Sequence, residues 1–319
     1  MSTSTALTLH PAMASAGELA LSPAQRLLDA FLSGRSPQTI RAYRQDLEDF
    51  RAFMQAETVE AAVRPMLAGG PGSANELALR YKADLMSRGL APATVNRRLA
   101  ALRSMVKLAK TIGLVPWNLE IKNAKAETYR DTRGPGRGGV RQLVDLARDR
   151  GDAKGARDLA IIRCLYDLGL RRAEVVRLDL EDLDVAGGTV AVLGKGRTQT
   201  VKLTLPAETN AALEAWIAQR GAEPGALFVT FDPARKGPSR LTGSGLYRMV
   251  RGLGARLGMK TRPHGLRHAA ITEVLDLSGG DVRAAAKFSR HRDLRVLTTY
   301  DDSRHNHAGE LARRLAAGL

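Results

Sequence analysis

From Ser22 to about Val115 the apolar positions recur with a helical period. The run SPAQRLLDAFL opens on Ser22 with proline at the first helical position, an arrangement that caps a helix start. SPQTIRAYRQDLEDFRAFM repeats the device at Ser36 and Pro37. Its apolar residues Ile40, Tyr43, Leu47, Phe50 and Phe53 fall on one stripe, with Arg41, Arg44 and Arg51 off it. A third helix is predicted over roughly 75–87. A fourth begins at APATVNRR, with Val95, Leu99, Leu102, Val106 and Leu108 inward and Arg97, Arg98, Arg103, Lys107 and Lys110 decorating it. These features predict a helical bundle over 22–122.

Residues 123–140 lose the apolar period and are polar, glycine-rich and arginine-rich, which is linker composition. Helices return in VRQLVDLARDRG and ARDLAIIRCLYDLGL. The period then changes: Val190 and Val192, followed by Val201, Leu203 and Leu205, alternate around a glycine-bearing turn. That predicts a β-hairpin or a three-stranded antiparallel ribbon. AETNAALEAWIAQRG restores the helical period, which continues with breaks to the end. The predicted layout is a flexible or partly helical arm (1–21), a helical domain (22–122), a linker (123–138) and a mostly helical second domain (139–319) with one small sheet.

Charge adds a partner. The 319 residues carry 49 Lys and Arg against 33 Asp and Glu, a formal net charge of +16, with 44% apolar residues. A folded protein so basic is suited to a polyanion, and nucleic acid is the first candidate. For any single arginine on the bundle a solvated face is the simpler reading. As a set, Arg41, Arg44, Arg97, Arg98 and Arg103 make a DNA-facing surface, and Arg197 in the second domain is a further expected DNA contact. Cys164 is the only cysteine, so neither an intrachain disulfide nor a cysteine-based zinc site is expected. No stretch approaches the ~20 apolar residues of a membrane span. The first residues lack the basic start of a secretory signal. A soluble, cytoplasmic protein without membrane partners is the expectation.

The chemistry gathers in TRPHGLRHAAIT, residues 261–272. His264, Arg267 and His268 follow a proline at a helix start, where the macrodipole already disfavours positive charge. Three readings compete. Histidines four apart can bind zinc, but Gly265 stands where the zinc-protease pattern has glutamate. A structural reading has one histidine capping and one buried. The third is an anion site, in which an arginine fork and a histidine donor at a helix N-terminus receive a phosphate. Other stretches supply matching groups. LYDLGLRRAEV places Arg171 after a Gly-Leu break, with Glu174 three residues on to hold an arginine. VLGKGRT sets Lys195 between glycines, with Arg197 beside it, near the ribbon's turn. SRHRDLRVLTTYDD contributes His291 and Tyr300.

The ordered set Gly-Leu-Arg-x-x-Glu, Gly-Lys-Gly, His-x-x-Arg-His, His and Tyr resembles the tyrosine recombinase family, the phage-integrase-type site-specific recombinases. The resemblance covers the whole second domain. SPQTIRAY resembles the opening of the family's SAM-like core-binding domain. It implies a mainly α fold with a small antiparallel β-sheet, a core-binding domain plus a catalytic domain, and a C-shaped clamp on DNA. It implies Arg171, Lys195, His264, Arg267, His291 and Tyr300 as the catalytic set, with Tyr300 the nucleophile and Glu174 and His268 in support. It further implies DNA cleavage and rejoining through a covalent 3′-phosphotyrosine, without metal, ATP or other cofactor. The role would be DNA integration, excision or transposition by a mobile-element enzyme of bacterial or phage type, associated with the nucleoid. Expected partners are duplex recombination sites, three further copies in a homo-tetramer joined by a C-terminal exchange helix, and accessory DNA-bending proteins.

This chain departs from the family pattern in two places. Ser289-Arg290 stands where the family usually has Leu-Gly before the second histidine, and Leu297 stands where a threonine is common. A type IB topoisomerase and a non-catalytic DNA-binding regulator are the rival readings.

Overall fold

A computed structural model of the chain describes residues 22–125, 134–194, 198–231, 239–291, 293–294, 297 and 307–318. The chain divides into two compact units that meet in sequence at residues 130 and 131.

The first unit is a bundle of α1 (Pro23–Leu32), α2 (Pro37–Phe53), α3 (Val59–Ala68), α4 (Gly70–Ser87) and α5 (Pro92–Thr111). Both serine caps form: Ser22 Oγ accepts from Gln25 N–H and Ser36 Oγ from Thr39 N–H. The apolar stripes meet in a core that includes Leu27, Phe31, Leu47, Phe50, Tyr81, Leu99 and Met105. Tyr81 packs its edge on Phe50, with ring centroids 5.1 Å apart, and donates its hydroxyl to Asp49 at 2.7 Å. Helix α3 is not announced by the apolar period. Thr58 caps it and Ala62, Val63 and Met66 bury, but Pro65 lies inside it and Gly69-Gly70-Pro71-Gly72 follows at once.

The second unit begins with α6 (Gly136–Arg148), so residues 136–138, expected in the linker, form a first helical turn instead. Then come α7 (Ala153–Tyr166), α8 (Arg172–Val175), a 3-10 turn at Leu180–Asp182, and strands β1 (Leu183–Asp184), β2 (Thr189–Leu193) and β3 (Thr200–Thr204). The sheet is antiparallel in the order β1-β2-β3, with Val190 opposite Leu203 and Val192 opposite Val201. Helices α9 (Ala207–Arg220), α10 (Gly243–Arg256), α11 (Pro263–Leu277), α12 (Val282–Ser289) and α13 (His307–Ala317) complete it. Its main core joins α6, α7, α9 and α10 to the sheet, around Ile161, Leu165, Val190, Trp216 and Phe228. A smaller core under α11 and α12 holds Ile271, Leu275, Ala285 and Leu297. The fold is thus mainly helical with one small antiparallel sheet. Among the described residues no helix is long and apolar enough to cross a membrane. The N-terminal arm 1–21 lies outside the described residues.

Candidate active site

The site is built where three chain turns meet in the second unit. The first lies between α7 and α8. After Tyr166 the chain reverses at Gly169, whose φ of +54° is left-handed backbone that a side-chain-bearing residue rarely adopts. A Cβ there would also lie 2.8 Å from the Phe288 ring, so glycine is required twice over. The reversal seats Leu170 in the core and presents Arg171 in extended backbone just ahead of α8. Glu174 then works as expected from the sequence. Its Oε2 accepts from Arg171 N–H and its Oε1 from Arg171 Nη1, both at 2.8 Å. Burial pushes the Glu174 carboxyl up, but the Arg171 backbone and guanidinium donors and the Arg290 charge outweigh it and hold the group below its usual value.

The second turn is the start of α11. Pro263 opens the helix, and Arg262 at the cap position makes no side-chain capping bond. Arg267, one turn in, is 2% exposed. Its Nη1 donates to Gly169 O and its Nη2 to Ser289 O, so one guanidinium ties α11 to both neighbouring turns. His264 opens to solvent at the helix start. Partial desolvation, with the charges of Arg267, Arg262 and Arg171, holds its ring below the ordinary value. His268, by contrast, is enclosed, with Nδ1 3.4 Å from Thr272 Oγ1. The two histidines therefore occupy different environments despite sharing a helix face. Among the described residues no three His, Cys, Asp or Glu side chains converge as a metal site.

The third turn ends α12. Arg290 adopts left-handed backbone (φ +57°), the usual way a helix stops, and His291 N–H closes the turn on Ala286 O at 3.2 Å. Ser289 Oγ donates to Ala285 O at 2.6 Å and lies 2.7 Å from His291 Nδ1, which orients the ring. Desolvation and the charges of Arg267, Arg171, His264 and Arg290 push His291 down to about 4. Leu297, in the place of the expected threonine, is fully buried against α11 and α12. Lys195, Arg197 and Tyr300 lie outside the described residues.

Arg171, His264, Arg267 and His291 thus come from three separate turns and feel one another's charge. Such a cluster of cations and donors disfavours protonated histidine until an anion arrives. A phosphate group, with three acceptor oxygens and negative charge, fits that requirement. Beside it, a recess of about 40 Å³ is lined by Gly134, Pro135, Thr261, His264 and Gly265, with Lys260 and Arg262 at its wall.

In the first unit, Arg41 and Arg44 stand exposed on α2. Arg97 is 42% exposed and bonded to Asp46 at 2.5 Å. Arg98 is different. Its side chain is 11% exposed and bonded to Asp49 at 2.7 Å, with Asp46 also near. Arg103 donates to Ile121 O and Asn123 Oδ1. Of the expected DNA-facing set, Arg98 is largely enclosed, Arg103 is half-buried, and Arg41, Arg44 and Arg97 are outward. Sequence reasoning did not assign Gly169, Ser289 or Arg290 a part in the site. The signal for the last two was their departure from the pattern around His291.

Comparison with known proteins agrees with this layout. Residues 139–307 match the phage integrase family and residues 30–112 the phage integrase N-terminal SAM-like domain. A tyrosine recombinase of Synechocystis sp. is 38% identical over 300 residues, 92% of this chain and 95% of that protein. Tyrosine recombinase XerC of Myxococcus xanthus is 32% identical over 281 residues, 84% of this chain and 87% of the relative. Among solved structures, the Tn1549 transposon integrase in complex with a circular intermediate DNA superposes with a TM-score of 0.68 at 16% identity. It covers 92% of this chain and 100% of its own. A lambda integrase dimer bound to a core site gives 0.65 at 14% identity, over 89% of this chain and 77% of its own. The chain belongs to the phage integrase family and is a tyrosine-type site-specific DNA recombinase.

Proposed function

We propose that Tyr300 is the nucleophile of strand cleavage and that Arg171, Lys195, His264, Arg267 and His291 serve it. The observation that carries this reading is the convergence of Arg171, His264, Arg267 and His291 from three turns on one anion-seeking point. The Tyr300 oxygen attacks the scissile phosphorus, and its proton passes to His264. The new bond is a phosphotyrosine on the 3′ side. The bond to the 5′ oxygen breaks, and that oxygen leaves with a proton from Lys195. Arg171 and Arg267 take up the charge growing on the non-bridging oxygens, and His291 donates to the same phosphate. Phosphoester energy is kept in the adduct, so a 5′-hydroxyl from the partner duplex reverses the step without ATP.

The partner is duplex DNA. Solved structures of the same fold hold transposon circular-intermediate DNA, a difH substrate and a lambda core site, which supports that reading. The assembly is a tetramer of this chain on two sites, with α13 docking on a neighbouring copy. Its role is integration, excision or transposition, with DNA-bending proteins in assistance. The test is a nicked suicide substrate that traps the adduct. The unmutated protein forms a covalent complex that survives EDTA, and Tyr300→Phe binds the site without forming it. An undiminished adduct in Tyr300→Phe overturns the assignment. An adduct without two-site recombination identifies a topoisomerase, and binding with no adduct identifies a regulator.

A further inference from the structure

We infer that Arg290 is a positioning residue of the strand-cleavage site, holding Arg171 and His291 in register through Glu174 and the Gly169 turn. The inference rests on the reading of Arg171 as a phosphate-binding group. The first observation is conformational. Arg290 sits at φ +57°, a left-handed position where glycine is free of strain and a residue bearing a Cβ is not.

The second observation is what that side chain does. It is 8% exposed and makes contacts that span the site. Nη1 donates to Leu168 O and Phe288 O, each at 3.1 Å. Nη2 donates to Gly169 O at 3.0 Å and to Glu174 Oε2 at 3.2 Å. The opposite oxygen of that carboxylate carries Arg171 Nη1 at 2.8 Å. Glu174 is therefore a buried anion shared by two guanidinium groups, one facing the phosphate and one facing inward. Gly169 O is shared in the same way by Arg290 and Arg267. Arg290 is also the residue before His291, so a single planar fork fixes the turn that offers His291 and the turn that offers Arg171. A lysine ammonium, one nitrogen with three donors, cannot replace two nitrogens that together serve four acceptors.

The physical consequence is preorganisation. With Arg290 gone, Glu174 loses one of its two counter-charges, the carbonyls of Leu168 and Gly169 lose a donor, and Arg171 is held by a carboxylate that is itself loose. Small misplacements of a phosphate-binding group cost about 10²-fold in rate, while binding of a long duplex depends on many other contacts.

The experiment is a double-mutant cycle on single-turnover cleavage of the suicide substrate, with site binding and thermal melting measured in parallel. Arg290→Gly is the main variant, because glycine relaxes the left-handed backbone and so protects folding. It is expected to cleave about 10- to 100-fold more slowly with binding within about 3-fold of unmutated protein. Combined with Arg171→Ala, it should slow cleavage by clearly less than it does alone, because part of its effect passes through Arg171. Losses that multiply in the double variant overturn the inference, as does an Arg290→Gly protein that cleaves at the unmutated rate. Arg290→Lys keeps the charge without the fork and is expected to fall with Arg290→Gly. Full activity in Arg290→Lys likewise overturns the inference, and it decides the matter if the glycine variant melts early. Normal cleavage by Arg171→Ala would instead bring down the underlying assignment of the phosphate site.

Discussion

Gly134 offers a sensitive handle on the site, because it lies outside the catalytic set yet touches the helix that carries it. A Cβ built on Gly134 would stand 1.9 Å from Gly265 O and 2.9 Å from Ala269 Cβ. That is about 1.5 Å short of the 3.4 Å at which ordinary contact begins. Gly265 lies between His264 and Arg267 in the first turns of α11. Gly134→Ala must therefore push that helix start aside or displace its own segment. Overpacking of this kind costs about 1–3 kcal/mol, and a 1 Å shift of a reacting geometry costs about 10²-fold in rate. Gly138→Ala is the matched control. It lies in α6 with nothing within 4 Å of its added methyl, and should gain about 0.5–1 kcal/mol from helix propensity. Denaturant melts and single-turnover cleavage of the two variants make the comparison. The reasoning fails if Gly134→Ala cleaves as fast and melts as late as Gly138→Ala.

Three further expectations concern charge. Arg98→Ala should cost about 1.5–3 kcal/mol in denaturant stability, since it removes a charged donor from Asp49 and a nearby counter-charge from buried Asp46, leaving Arg88 and Tyr81 on the first and Arg97 on the second. Arg41→Ala should change stability by less than about 0.5 kcal/mol while weakening DNA binding in a gel shift. Equal stability of the two variants would refute the division between enclosed and outward arginines. His291 makes the free protein acid-sensitive. Between its ordinary 6.5 and about 4 the unfolded chain binds a proton that the folded chain refuses, so stability falls as pH falls through that window. Melting at about pH 7 and about pH 5 should show a smaller drop in His291→Gln. An identical drop would remove His291 from the acid response. Lys195→Ala should slow cleavage by about 10²–10⁴-fold. A substrate with sulfur for the 5′ leaving oxygen should restore it, because a thiolate needs little protonation, while Arg171→Ala gains nothing. Lack of rescue moves the acid to another residue.

What the sequence disclosed was what depends on near neighbours. The Ser22 and Ser36 caps, the Arg171–Glu174 pairing three residues apart and the alternation of β2 and β3 all rest on local spacing, and each is present. Helix α3 escaped because Pro65 and the glycines after Ala68 mask a short apolar face. Arg98 looked like its outward neighbours because an arginine's partner, here on α2, is invisible along its own helix. Gly134 belonged to a stretch with linker composition, and only the fold brings it against Gly265. Arg290 reaches Leu168 across 122 positions and Glu174 across 116, which no spacing rule connects.

The single cysteine has a practical consequence. Cys164 is 1% exposed, and burial, with the nearby Asp167 charge, pushes its thiol up to about 12. At neutral pH it is therefore un-ionised and sealed from reagents, while alkylation needs an accessible thiolate. The unmodified chain is a ready blank for thiol-specific labelling. Cysteines introduced at Met86 and Leu277, exposed by 54% and 76% in separate units, would accept a donor–acceptor dye pair without removing the native residue first. Energy transfer between those dyes would then follow the two units, one molecule at a time, as duplex is added and strands are exchanged.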